Sequence, residues 1–154
     1  MFIVRVIEAL QRSKVPAAIV GGYAVALHGA VRGTVDLDLV LRLRRADFIA
    51  AEAAFRALGL VPRLPVTAAQ VFDFRTEYIK NRNLVAWSFY NPVNPVESLD
   101  VIITHDLARM KVKKIAGGGG VLPVLALPDL IAMKRAAGRP QDLEDISALE
   151  RLRR

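Results

Sequence analysis

The sequence predicts an α/β (α+β) domain, a small mixed β-sheet backed by helices on one side and closed by two C-terminal helices. Three observations carry this. Short apolar runs such as Ala17 to Val20 and Ser98 to Thr104 are bounded by Gly and Pro, as in buried strands. Apolar residues recur at helical spacing between Arg44 and Leu58, stopped by Gly59. Two further helical segments, Pro128 to Ala137 and Gln141 to Arg153, close the chain. At 154 residues it suits one domain, 1–154, with a workable core.

The elements follow in order. Phe2, Val6, Ala9 and Leu10 mark an amphipathic helix that Pro16 ends. After the strand Ala17 to Val20, Gly21-Gly22 signals a turn where missing side chains let a ligand approach the backbone. Tyr23 to His28 is a short helix with Gly29 at its C-terminal end, and its N-terminus offers N–H groups to an anion. Val35 to Leu41 alternates as a half-buried strand. Leu60 to Arg63 is expected as a strand, and Thr67 as the cap of a short helix through Phe72. Glu77 to Lys80 and Leu84 to Tyr90 are expected as two strands joined by the hairpin turn Asn81-Arg82-Asn83. Pro92 and Pro95 stiffen the next loop. Lys111 to Ile115 and Val121 to Leu125 are expected as strands joined by a floppy Gly117 to Gly120 connection.

Composition narrows the classes. Lys and Arg number 22 against 15 Asp and Glu, a net charge of +7 that favours polyanionic partners. With no cysteine, disulfides and thiolate metal sites are excluded. The longest uncharged run, Val15 to Val31, is interrupted by glycines and falls short of the ~20 residues of a bilayer span. No secretory signal is visible, so the expectation is a cytoplasmic protein without a membrane partner.

The chemistry centres on carboxylates. Asp36 and Asp38, two apart on one strand, share a face while Val35, Leu37, Leu39 and Leu41 take the other. Aligned carboxylates amid apolar residues repel and resist desolvation unless a cation sits between them, and a hard oxygen-seeking ion such as Mg²⁺ suits them. Asp100, on the strand Ser98 to Thr104, is the third. Phosphoryl and nucleotidyl transfer need this arrangement, with metal neutralising phosphate while attacking and leaving oxygens stay in line. The plain alternatives are a solvated strand face for Asp36 and Asp38, and for Asp100 a strand-start carboxylate paired with an Arg.

Gly21-Gly22, then Asp36-Leu37-Asp38-Leu39, resembles the nucleotidyltransferase superfamily of DNA polymerase β, with its hG[GS] turn, Dh[DE]h strand and later third carboxylate. The fuller string GGYAVALHGAVRGTVDLDLVL and the ending ALPDLIAMKRAAGRPQDLEDISAL look like its AbiEii-toxin and minimal nucleotidyltransferase branch. The resemblance covers both ends of the chain and leaves roughly 60–97 unmatched. It implies that Asp36, Asp38 and Asp100 are catalytic and hold Mg²⁺, two ions with Mn²⁺ as a substitute, and that Gly21 and Gly22 touch a triphosphate. Arg32 and Thr34 fall in its R-x-T-x-D-x-D lead-in and join the nucleotide-binding set. Lys134 matches a lysine facing the phosphates, against the plain reading of an exposed lysine. Asp142 and Asp145, in a K-x₄-R-x-x-D-x-x-D-like ending, are taken as structural partners of Lys134 or Arg135. Gly22 stands where many members have Ser, which removes a hydroxyl contact to phosphate.

The implied activity is Mg²⁺-dependent transfer of an NMP from an NTP to an acceptor left open (tRNA, protein or small molecule), with a toxin–antitoxin or phage-defence setting and a cognate antitoxin as partner. The competing class is a non-catalytic nucleic-acid- or protein-binding module on the same fold. Its candidate basic groups are Arg42/Arg44/Arg45, Arg109 to Lys114 and Arg151 to Arg154, none interleaved with aromatics that would stack on bases. His28 reads as a helix-end or core histidine, His105-Asp106 as a loop pair, and Trp87 and Phe89 as core or interface.

Overall fold

A computed structural model describes residues 1–33 and 36–153. Among the described residues seven α-helices, α1 (Phe2–Arg12), α2 (Gly21–Leu27), α3 (Arg45–Ala57), α4 (Ala68–Asp73), α5 (Arg75–Arg82), α6 (Leu127–Ala137) and α7 (Pro140–Leu152), surround seven strands. The strands are β1 (Ala17–Val20), β2 (Leu37–Leu41), β3 (Val61–Pro62), β4 (Ala86–Tyr90), β5 (Ser98–Ile102), β6 (Val112–Gly117) and β7 (Gly120–Leu125). They form one mixed sheet in the order β3-β4-β5-β2-β1-β7-β6. β2 runs antiparallel to β1 and parallel to β5, and β7 parallel to β1.

Alternation divides the two faces of the sheet. Leu37, Leu39, Leu99, Val101, Trp87 and Phe89 share one face by register and are buried there. α3 packs its apolar stripe on that face. Phe48 stacks on Trp87 at 5.7 Å, and Phe55 meets Phe89 edge-on at 5.0 Å. Asp38, Asp100 and Ser88 therefore project from the opposite face, the side bordered by α2 and α6. Thr67 caps α4 through a capping box with Gln70.

Three sequence expectations are corrected. Glu77 to Lys80 is not a strand but part of α5, and Asn81-Arg82-Asn83 is not a hairpin turn: Asn83 ends the helix with left-handed backbone, φ 53°. The Gly117 to Gly120 connection is not floppy. Gly117 pairs with Gly120, and Gly118 and Gly119 (φ 59° and 86°) make a two-residue hairpin turn of the kind that needs positive φ at both positions. Asp36, expected on the carboxylate strand, stands just ahead of β2, and Val35 lies outside the described residues. Among the described residues no helix is long and apolar enough to cross a membrane.

The aromatic cluster ties α3 to the sheet. Phe48→Ala should cost about 3–5 kcal/mol in urea unfolding, with a lowered midpoint and an unchanged m-value.

Candidate active site

The site is assembled by strand register. β2 and β5 run parallel with Asp38 beside Asp100, so adjacent strands carry two carboxylates on the same face. Asp36, just before β2, is exposed, and its Oδ1 accepts a hydrogen bond from Ser98 Oγ at 2.8 Å. On the other side Val20 pairs with Asp38, so β1 delivers the chain at Gly21 directly over the Asp38 carboxylate. A Cβ at Gly21 would stand 2.1 Å from Asp38 Oδ2 and 2.9 Å from its Cγ, and its φ is +68°. Both facts demand glycine. Gly22 is buried inside α2.

A cleft of about 690 Å³ opens beside these groups, lined by Gly21, Asp38, Thr104, His105, Lys134 and Arg139 among others. Val85, Ile102, Leu130 and Met133 give it an apolar wall. Among the described residues neither Asp38 nor Asp100 forms a salt bridge. Burial, then repulsion from Asp100 and Asp36, pushes Asp38 up to about 7, although Lys134 and Arg139 pull the other way.

Lys134 is neither an exposed lysine nor a free cation. Its side chain is 7% exposed, with Nζ 2.9 Å from Asp145 and 3.4 Å from Asp142. Asp145 also accepts from Arg32 Nε at 3.1 Å and Gln141 Nε2 at 3.0 Å. Arg32 is thus joined to α7 and is not among the residues lining the cleft. Thr34 lies outside the described residues. Asp142 caps its own helix by accepting from Arg139, through the backbone N–H at 3.1 Å and Nε at 2.7 Å. Burial raises its proton affinity, but these bonds outweigh it and hold the carboxyl below the ordinary range.

Two cations line the cleft, the buried Lys134 and Arg139, whose side chain is paired with Asp142 yet 75% exposed. Sequence reasoning placed Arg139 in the ending motif without a role; the signal was its position three residues before an acid, next to a helix-starting Pro. Ser98, two residues before Asp100 and on the same face, was likewise missed. His28 Nε2 lies 2.8 Å from the Leu125 carbonyl and pins a helix end.

The carboxylates can be tested as a metal site. Among the described residues no three His, Cys, Asp or Glu side chains form a ready cage. The donor chemistry nonetheless fits a hard divalent ion. All three donors are carboxylates, and Asp38 is held in a protonation state that a cation would reverse.

No protein-family model matches the chain, and no curated protein matches its sequence. Solved structures do. The antibiotic-resistance factor ANT(2'')-Ia in solution superposes with a TM-score of 0.65 at 15% identity, over 96% of this chain and 80% of that one. Its crystal structure in complex with adenylyl-2''-tobramycin gives 0.62 at 15%, over 96% and 84%. An antigenic nucleotidyltransferase-like protein from Paracoccidioides brasiliensis gives 0.58 at 15%, over 96% and 74%. The chain shares the nucleotidyltransferase fold. At this identity the likeness is one of architecture.

Two outcomes test the electrostatics. Asp38 keeps its proton to about pH 7 when folded but releases it near 3.8 when unfolded, so the folded state binds more protons between these values. Stability of metal-free protein should fall as pH rises across that window. In EDTA, Asp38→Asn should melt roughly 2–6 °C above the parent at pH 8, with the gap closing toward pH 4. Lys134→Met leaves two buried carboxylates without their ammonium and should cost about 3–5 kcal/mol in chemical denaturation.

Proposed function

We propose that this protein is a Mg²⁺-dependent nucleotidyltransferase that moves an NMP from an NTP onto an acceptor hydroxyl. The observation that carries this reading is the parallel register that sets Asp100 beside Asp38, which lies against the Gly21 backbone and lines a cleft large enough for a nucleotide. A cluster kept only for stability would have its carboxylates neutralised from within, as Asp142 and Asp145 are.

The triphosphate lies along the Gly21-Gly22 turn, where the missing Cβ lets backbone N–H groups approach it. Arg139, held on Asp142 with its side chain largely exposed, supplies positive charge at the same rim. Asp36, Asp38 and Asp100 would hold Mg²⁺, which would neutralise the phosphate charge during transfer. Asp100 orients the acceptor hydroxyl and takes its proton. The hydroxyl oxygen forms a bond to the α-phosphorus while the bond to the bridging oxygen breaks, and pyrophosphate departs. Lys134 and Arg32, assigned to phosphate by the resemblance, act at one remove here by fastening α7 through Asp145. The AbiEii-like and minimal-nucleotidyltransferase strings support placing the protein in that branch, with a cognate antitoxin as partner.

Calorimetry with ATP, GTP, CTP and UTP plus Mg²⁺ should find at least one ligand. Asp38→Asn and Asp100→Asn should each lower transfer of labelled NMP by at least about 10²-fold. Failure to bind any of the four, with Asp36→Asn indistinguishable from the parent, would sink the assignment.

A further inference from the structure

α5 is unlike the other helices in that none of its residues is buried. Its sequence alternates charge and ring: Phe74 at the N-cap, then Arg75, Tyr78, Lys80 and Arg82, with Glu77 its one acid. Positions 74, 78 and 82 are four apart and so share a helix face. Phe74 is 52% exposed, and its ring lies 6.4 Å from that of Tyr78. Among the described residues neither Lys80 nor Arg82 has a salt-bridge partner, whereas Arg42 and Arg45, also candidates for a basic surface, are tied to Asp47 and Asp73. The basic groups weighed from the sequence, Arg42/Arg44/Arg45, Arg109 to Lys114 and Arg151 to Arg154, lack interleaved aromatics, and this segment, expected as a strand and a turn, is not among them. As one helix, the segment interleaves aromatic and basic residues.

Its position matters as much as its composition. Asn83, which ends α5, borders the Asp38 cleft. Arg75, which begins it, borders a second cavity of about 540 Å³ and is anchored by Nε donating to the Ile103 carbonyl at 2.5 Å. The two cavities share Thr104, His105 and Met133 as a common wall. α5 therefore runs along the rim that joins the reactive carboxylates to the neighbouring space.

We propose that α5 is a docking surface for single-stranded nucleic acid, which stacks bases on the exposed Phe74 and the half-buried Tyr78 beside it, sets its phosphates on Arg75 and Arg82 of the same face, and presents a terminal hydroxyl to the cleft. An exposed ring such as Phe74 accepts any base, and cations on the same helix face track the backbone; a protein partner would need neither combination. The assignment of the acceptor rests on the transferase reading, but the binding surface does not.

Fluorescence anisotropy with a labelled single-stranded RNA of about twelve nucleotides, and with its blunt duplex, tests it without turnover, site sizes being of that order. The parent should prefer the single strand. Phe74→Ala and Tyr78→Ala should each weaken binding roughly 5- to 100-fold. Tyr78→Phe should bind as the parent does, and Phe74, being exposed, can be changed without endangering the fold. Arg82→Gln should flatten the log–log salt dependence by about 0.7, and Lys80→Gln, on the opposite side of the helix, should leave it unchanged. A fluorescent ATP analogue with Mg²⁺, read in the same samples, should bind parent and variants within about two-fold, since these positions lie off the triphosphate path. Equal binding of duplex and single strand, no loss in the two alanine variants, or a preference for an acidic protein over RNA overturns the surface. ATP-analogue binding without RNA binding overturns it and leaves the transferase standing. RNA binding that the variants abolish, with no ATP-analogue binding, supports the surface and removes the transferase.

Discussion

The repulsion between Asp38 and Asp100 is the constraint from which the rest of the site follows. Parallel pairing of β2 and β5 puts the two carboxylates side by side, and partial burial denies them the water that would screen them. A fold accepts such a pair only if other elements are strong enough to hold the register. Here the opposite face does so: Leu37, Leu39, Leu99 and Val101 lock beneath Trp87, Phe89, Phe48 and Phe55. A slip of one residue would move the leucines to the acid face and the carboxylates into the core, so apolar burial enforces the acidic arrangement. Gly21 is the second consequence. Only a residue without Cβ fits against Asp38 Oδ2, and that same absence opens the backbone to whatever occupies the cleft.

A contrasting electrostatic solution lies a short way off. Asp142 and Asp145 are as buried as core residues, yet each is neutralised, by Lys134 together with Arg139 or Arg32. This network joins α6 to α7 and fixes both against the strand lead-in. Among the described residues Asp142 and Asp145 are compensated by ion pairs, whereas Asp38 and Asp100 form no salt bridge.

The carboxylates, the glycine turn and their order along the chain were legible in the sequence, because alternation and glycine conformation are local properties. The apolar residues of β1, β2, β5 and α3 were legible for the same reason. α5 was not. It is short, polar and without a buried stripe, so neither period two nor period 3.6 marks it, and Asn83 at its end mimicked a turn. The Gly118-Gly119 hairpin was read as loose because a glycine run looks featureless until cross-strand pairing supplies its geometry. Lys134 matched a phosphate-facing motif in one dimension, but only packing revealed the two acids that hold it.

By itself the sequence determined the α/β class, the carboxylate strand and the glycine turn, since each depends on neighbours a few residues apart. Only the tertiary structure decided which acids are held in ion pairs, which cations line the cleft, and that an exposed aromatic and basic helix runs along its rim. Those properties arise from side chains far apart in the chain, 38 with 100, 32 with 145 and 83 with 38, whose meeting is set by register and helix packing.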